Sequence, residues 1–285
     1  MKKLRTIDKI TYAHEFQMGN MRVKQPLPTH ELEQVSPFIL LHHAGPDHYK
    51  AGEYKNRLGP HPHRGFEPVT FIFNGKVHHR DSMGNEGFLQ TGDVQWMTAG
   101  KGVIHSEGPS EKFSEEGGTI EIIQLWINLP REHKMTEPKY QDIPSSKIPV
   151  IENEKVKMKL VSGNYSNLKG PADTFTNILS MMIEFEEGAE INLDVPENFN
   201  SLIYLLDGKL ESGSETINKL NMIAYNNDGN SIQLKSISSG KLLFLSGEPI
   251  NEPMVNYGPF VMNYPGEIKQ AILDYEQGKM GSLDF

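Results

Sequence analysis

Two short stretches carry the residue types from which a metal centre is built: His61-Pro62-His63 and His105-Ser106-Glu107. Each places two ligand-type side chains at i and i+2, and on an extended strand those positions share a face. Two such strands laid side by side would bring three imidazoles and one carboxylate to a point. Three neutral imidazoles and a carboxylate suit a borderline divalent ion: Fe(II), Mn, Co, Ni, Cu or Zn. In a mononuclear six-coordinate site this set leaves positions open for small molecules, which makes it reactive and not a closed structural clip. A lone HxH pair is common by chance, whereas HxH followed by HxE within a β-rich chain is more specific.

The other histidines read as solvated or hydrogen-bonded side chains. His42-His43 and His78-His79 are adjacent pairs, whose members point to opposite faces of a strand and cannot both meet one ion without a bulge. His42 or His43, following the apolar run FILL, is the best placed of these to reach a site, and His14, His48 and His133 stand alone. Glu67 and Arg64 share the first motif and are placed behind the ligands. Glu67 could ligate, but His105 and Glu107 already complete a set of four. It is therefore read as accepting the ring N–H of a ligating histidine.

The elements that must hold these residues are β-strands. Gly59-Pro60 precedes HPH, and Gly92, Gly100 and Gly102 allow sharp bends ahead of HSE. Asp93 is expected to cap a turn and Trp96 to pack in a wall. Short β-type runs at 37–41, 69–73, 94–97, 119–128, 177–184, 202–206, 222–225, 231–234 and 241–246 are separated by Gly, Pro, Asn and Asp. That rhythm predicts a sandwich or barrel, not alternating strand and helix. The segment 128–150 has four prolines, mixed charge and little periodicity, so it reads as a linker with the boundary near 140. The domains are then 1–140, which carries the ligands, and 141–285, which lacks them.

EPVTFIFNGKV (67–77) is echoed by NSLIYLLDGKL (200–210), with Asn-Gly and Asp-Gly as turn signals. The echo suggests a duplicated β domain. On its register His61 falls opposite Asp194 and His63 opposite Pro196, so one metal site is expected. Near the end, 267–277 is the clearest helix: Ile268, Ala271, Ile272 and Tyr275 form an apolar stripe, Pro265 leads in and Gly278 is placed to end it.

The chain has 285 residues, 26 Gly and 18 Pro, and a formal charge of −9. Phosphate binding is driven by Lys and Arg replacing counterions, so the charge argues against direct nucleic-acid binding. The absence of Cys excludes disulfides, thiolate ligands and a Cys nucleophile. No signal-type or membrane-spanning apolar run is present in the sequence, and a cytoplasmic location is expected.

HPHRGFEPVTFIFNGKVHHRDSMGNEGFLQTGDVQWMTAGKGVIHSE (61–107) resembles the N-terminal signature of the pirins, a branch of the cupin superfamily. GEPINEPMVNYGPFVMNYPGEIKQAILDYEQGKMG (247–281) resembles the C-terminal part of that family, and the likeness runs over nearly the whole chain. The resemblance implies an all-β fold of two cupin domains, β-barrel or jelly-roll-like, facing each other, with a short C-terminal helix. It implies metal in the N-terminal domain on His61, His63, His105 and Glu107, usually one Fe(II), with Zn, Mn, Ni, Co or Cu as alternatives. In the general cupin pattern Glu67 would ligate and the second motif would end in a single His. Both departures here are those of pirins.

Two functions follow from that resemblance. One is a quercetin 2,3-dioxygenase-type oxygenase acting on a flavonol or similar small molecule, with Glu107 as the base that accepts the substrate hydroxyl proton. The other is an iron-dependent redox-sensing regulator that binds a transcription factor or metabolic enzyme. A duplicated β protein with a structural ion is the plain alternative. The same ligands serve all three, so the motifs alone do not separate them.

Overall fold

The computed structural model describes residues 2–18, 21–53 and 57–283. In chain order the strands of the first half are β1 Ile7–Tyr12, β2 His14–Met18, β3 Met21–Leu27, β4 Phe38–Tyr49, β5 Leu58–His63, β6 Phe66–Asn74, β7 Lys76–Asp81, β8 Glu86–Gln90, β9 Val94–Thr98, β10 Val103–Pro109, β11 Gly118–Asn128 and β12 Lys139–Ile143. The second half adds β13 Val150–Glu152, β14 Val156–Ser162, β15 Asn164–Tyr165, β16 Leu168–Lys169, β17 Ile178–Phe185, β18 Glu190–Asp194, β19 Asn200–Ser212, β20 Glu215–Asn218, β21 Asn221–Tyr225, β22 Ser231–Gly247, β23 Val255–Tyr257 and β24 Phe260–Met262. Among the described residues two α-helices accompany them, α1 (Glu111–Glu116) and α2 (Pro265–Glu276). Each expected β-run falls on a strand, with Pro37 and Asn177 one residue outside β4 and β17 and with 231–234 and 241–246 joined in β22. The all-β expectation holds, in jelly-roll-like form: the sheets do not close into barrels. No described helix is long and apolar enough to cross a membrane.

Beside the expected division near residue 140, the chain forms two units, each discontinuous in sequence. One comprises Met1–Glu15, Lys24–Ile39 and Ser146–Pro249; the other comprises Phe16–Val23, Leu40–Ser145 and Ile250–Phe285. The first is organised by a nine-stranded sheet in which β19 pairs β22 and β22 pairs β17. Apolar partners meet across these ladders, Ile203 with Phe244 and Leu205 with Leu242, and all four are buried.

The second unit holds HPH and HSE. It contains the four-stranded sheet β5-β10-β7-β8 and the run β12-β9-β6-β11-β4 of a seven-stranded sheet. Ile72 and Ile122 from the larger sheet pack with Val77 and Leu89 from the smaller, so the two sheets share a core. Asn74-Gly75 does not close a hairpin. It passes the chain from β6 in one sheet to β7 in the other, with Gly75 at φ +106°. Asp207-Gly208 sits inside β19 at a register shift against β22, with Gly208 at φ +93°. Both echoed dipeptides therefore turn a corner, because a residue with positive φ redirects a strand whether or not it reverses it.

The segment read as a linker is structured. Its prolines at 138 and 144 bracket β12, which pairs β9 from Lys139↔Thr98 to Ile143↔Val94 at the sheet edge, where prolines next to a strand cost no ladder bond. Asp93 caps as expected, accepting from the Gln90 and Ser145 amides, and Trp96 is fully buried.

The C-terminal helix starts two residues earlier than expected. The Glu267 carboxylate accepts from the backbone N–H of Asn263 and Tyr264, and Gly278 follows at φ +71°. Ile268 and Ala271 pack with Ile104, Phe260, Met262 and Met280. Tyr275, expected in the buried stripe, is 39% exposed, and Asp274 takes the buried place at 8%.

Candidate metal centre

β5 and β10 lie side by side and antiparallel, with His105 opposite His61 and Val103 opposite His63. β5 is the edge strand of its sheet, which is why Pro62 is tolerated between the two histidines. The register shifts between His105 and Glu107, where Leu58 becomes the partner. The extra residue lies on the β5 side, at Gly59-Pro60. The rings of His61, His63 and His105 converge, with centroid separations of 4.8 Å, 4.3 Å and 4.9 Å. One donor atom from each of these three lies within 4.8 Å of the others, and the same holds for His79, His105 and Glu107.

Burial dictates the protonation of this cluster. His63 and His105 are each 2% exposed, and loss of solvent pushes both imidazoles well below their ordinary range, with neighbouring imidazoles adding to the effect. At neutral pH both are uncharged, which is the ligating form. His61 Nδ1 lies 2.9 Å from the Gly59 carbonyl. A carbonyl can only accept, so Nδ1 carries the proton and Nε2 keeps its lone pair. Both ring nitrogens of His63 and Nε2 of His105 are buried with no hydrogen-bond partner. Orphan polar atoms in such a place call for an explanation. Convergent imidazole lone pairs beside a carboxylate fit a divalent transition metal, which accounts for them.

Glu107 is held from the other sheet. Gln124 Nε2 on β11 donates to its Oε1 at 2.6 Å, and Trp126 Nε1 donates to Gln124 Oε1 at 3.2 Å. Burial pushes the Glu107 carboxyl up, while His61, Gln124 and Arg57 pull the other way. Ser106, between the two HSE ligand types, points to the opposite face. Its Oγ donates to the Leu58 carbonyl at 2.7 Å and accepts from Arg57 Nε at 2.8 Å, which ties β10 to the start of β5.

The two residues placed behind the ligands by sequence, Glu67 and Arg64, make the following contacts. Glu67 is fully buried on β6, and its Oε1 accepts from Thr98 Oγ1 at 2.7 Å. Arg64 directs its guanidinium to the Lys101 carbonyl and to Asp274 of α2, away from the cluster. His78 and His79 point to opposite faces of β7: His78 stacks on Phe88 and meets Glu86, whereas His79 is 1% exposed and faces His105. His79 is thus a site residue that sequence reasoning passed over; the signal was its place one strand from HSE, visible only once β7 and β10 pair. His43 is buried 3.4 Å from Glu121. His42 reaches the cavity, and burial pushes it down to about 4.

That cavity holds about 460 Å³ and opens onto His61, His63 and Glu107. Its other walls are chiefly apolar, from Met18, Met21, Val23, Ile120, Ile122 and Trp126. A larger groove of about 800 Å³ in the other unit runs along residues 4–10 and mixes charged and polar side chains with Leu4, Ile7, Ile10 and Leu234, with no histidine. At Asp194, the position echoing His61, the side chain is exposed and pairs with Lys2. Both described ligand clusters lie in the unit that holds HPH and HSE.

Comparison with known proteins agrees with this architecture. Residues 20–127 match the family model described as Pirin, and residues 180–281 match the Pirin C-terminal cupin domain. A Pseudomonas aeruginosa protein whose name provisionally makes it a quercetin 2,3-dioxygenase is 39% identical over 249 residues, 87% of each chain. Human pirin is 34% identical over 266 residues, covering 91% of this chain and 88% of that one. The crystal structure of a quercetin 2,3-dioxygenase from Acinetobacter baumannii superposes with a TM-score of 0.93 at 36% identity, over 99% of this chain and 100% of that chain. A bacterial pirin from Escherichia coli, solved in complex with nickel(II), shares the fold at a TM-score of 0.64 and 19% identity, over 87% of this chain and 99% of that chain. The chain belongs to the pirin family.

Proposed function

We propose that the chain holds one divalent transition metal, Fe(II) by preference, on His61, His63, His105 and Glu107, and opens a flavonol or related enol with O2 in the manner of a quercetin 2,3-dioxygenase. The observation that carries this reading is the apolar cavity of about 460 Å³ that ends on His61, His63 and Glu107. Its volume lies in the range of small-molecule sites, roughly 300–1,000 Å³. The Acinetobacter and Pseudomonas relatives bear the name of that activity.

When bound, the metal supplies Lewis-acid polarisation of a substrate oxygen and a redox-capable centre. The chain supplies the rest. Met18, Met21, Val23 and Trp126 offer apolar area to a planar aromatic ligand and exclude water. Glu107, made more basic by burial and oriented by Gln124, accepts the proton of the substrate hydroxyl at its carboxylate. The Gly59 carbonyl fixes His61 with its Nε2 lone pair available. Turnover is tested by loading the protein with Fe(II), adding quercetin and O2, and following flavonol absorbance and CO release. A rate no higher than that of a His61→Ala, His63→Ala control ends this reading.

The formal charge of −9 favours a second reading, an iron-dependent redox-sensing regulator acting in the cytoplasm on a basic surface of a transcription factor or metabolic enzyme. It requires a partner retained by one oxidation state of the iron and released by the other in a pull-down.

A further inference from the structure

β7 runs antiparallel beside β10 in perfect register: His79 is opposite Glu107, and Asp81 is opposite His105. Directly opposed residues present their side chains to the same face, so His79 is delivered to the ligand side of the sheet. It is 1% exposed, its Nδ1 lies 3.4 Å from Nδ1 of His105, and the two ring centroids are 5.2 Å apart. Its far side is closed by the Tyr140 ring at 4.7 Å.

Two facing imidazole nitrogens make a hydrogen bond only if one carries a proton and the other a lone pair. Nε2 of His79 is buried and unpartnered, and so is Nε2 of His105. For the His105 atom to offer a lone pair to an ion, the proton of the neutral ring must sit on Nδ1, where His79 is the acceptor. The ring proton of His79 then sits on its own Nε2.

We propose that His79 is the positioning residue of the metal centre: it accepts the Nδ1–H of His105 and so fixes that ligand's tautomer and ring plane. This rests on the metal reading above. The usual acceptor behind a ligating histidine is a carboxylate, a carbonyl or water. A neutral imidazole draws the ring proton less strongly than a carboxylate, so His105 stays a neutral donor and Glu107 remains the anion among the proposed ligands.

The test uses Co(II) alone, with no flavonol, and measures stoichiometry, affinity against a chelator and the visible ligand-field spectrum. Wild-type protein is expected to bind one Co(II), and His63→Ala to bind it far more weakly. His79→Ala should keep one Co(II) with affinity lowered by about ten- to a hundred-fold and with an altered spectrum. His79→Gln, whose amide oxygen can accept the same proton, should recover most of both. Unchanged affinity and spectrum in His79→Ala, or failure of His79→Gln when both variants melt like the parent without metal, would overturn the role. So would loss in His79→Ala as complete as in His63→Ala, since His79 would then be a ligand. If His79→Ala does not fold, imidazole 15N shifts of the Zn(II)-loaded wild type decide: protons on His105 Nδ1 and His79 Nε2 are expected, and the reverse tautomers refute it. A wild type that binds no Co(II) sinks the ligand assignment itself, a result distinguishable from failure of His79 alone.

Discussion

Arg64, one position beyond His63, donates from Nη1 to Asp274 of α2 at 2.9 Å, with 5% and 12% of the two side chains exposed. The same guanidinium donates from Nε to the Lys101 carbonyl at 2.6 Å. Asp274 also accepts from Lys279 and Gln270, and these bonds together with Arg64 hold its carboxyl well below the usual carboxylate range. The strand that ends in HPH is thereby tied to the C-terminal helix. Removing the acid leaves a largely buried cation unpaired, so Asp274→Ala should cost roughly 3 kcal/mol in urea unfolding at pH 7. A carboxyl with a depressed pKa contributes stability above its unfolded value and loses it as pH falls through the folded one. The wild-type and variant stability curves should therefore converge in acid, and parallel curves would contradict the pairing.

Lys134 is 1% exposed, and its ammonium donates to the carbonyls of Gly65 and Val261 and to Asn128 Oδ1. Lys134→Met would strand three acceptors, at about 1–3 kcal/mol for each buried group left unsatisfied. Thermal melting should show a loss of several degrees at neutral pH. Burial pushes Lys134 down to about 7. The unfolded chain then binds the extra proton between about 7 and 10, so this residue makes stability rise with pH across that window. In Lys134→Met that rise should vanish.

Gln124 connects Trp126 to Glu107, and Gln124→Leu would keep the volume while removing the donor on Oε1. Flavonol turnover is expected to fall about ten- to a hundred-fold, as for other groups that orient a metal ligand, with the melting temperature nearly unchanged. Equal activity in parent and variant would show that Glu107 needs no such support.

Metal retention should outlast the ordinary titration of imidazole. Burial holds His63 and His105 neutral well below their usual range, so protons compete for these nitrogens only in more acidic solution. Stepwise dialysis of the loaded protein should release half the metal below about pH 6, lower than a solvated histidine site would. Release centred at or above the free imidazole value would argue that these two rings do not bind the ion.

The strand runs and the convergence of the two candidate ligand pairs were legible because both rest on a period of two. Apolar alternation marks a half-buried strand, and i, i+2 spacing marks a shared face. Opposed faces also correctly separated His78 from His79. Which of them turns inward depends on β7 pairing β10, a contact between distant segments that no local pattern encodes. The same reason hid Arg64: its place beside HPH suggested support for the ligands, whereas its partner Asp274 lies 210 positions away. Tyr275 follows the helical period, yet Asp274 occupies the buried side because a charge pair outweighed periodicity. β12 was masked by the prolines that bracket it, which read as a linker until β9 is seen to need a neighbour.

The strip Ile250–Phe285 belongs to the unit that carries His61 and His105. Phe260, Ile268 and Met280 pack with Ile104, one residue before His105. On the ribosome, that unit must wait with its apolar flank uncovered while all of Ser146–Pro249 is translated. The unit that carries the candidate ligands is thus completed only after residue 249. A nascent chain stalled at residue 250 should take up no ion that dialysis cannot remove.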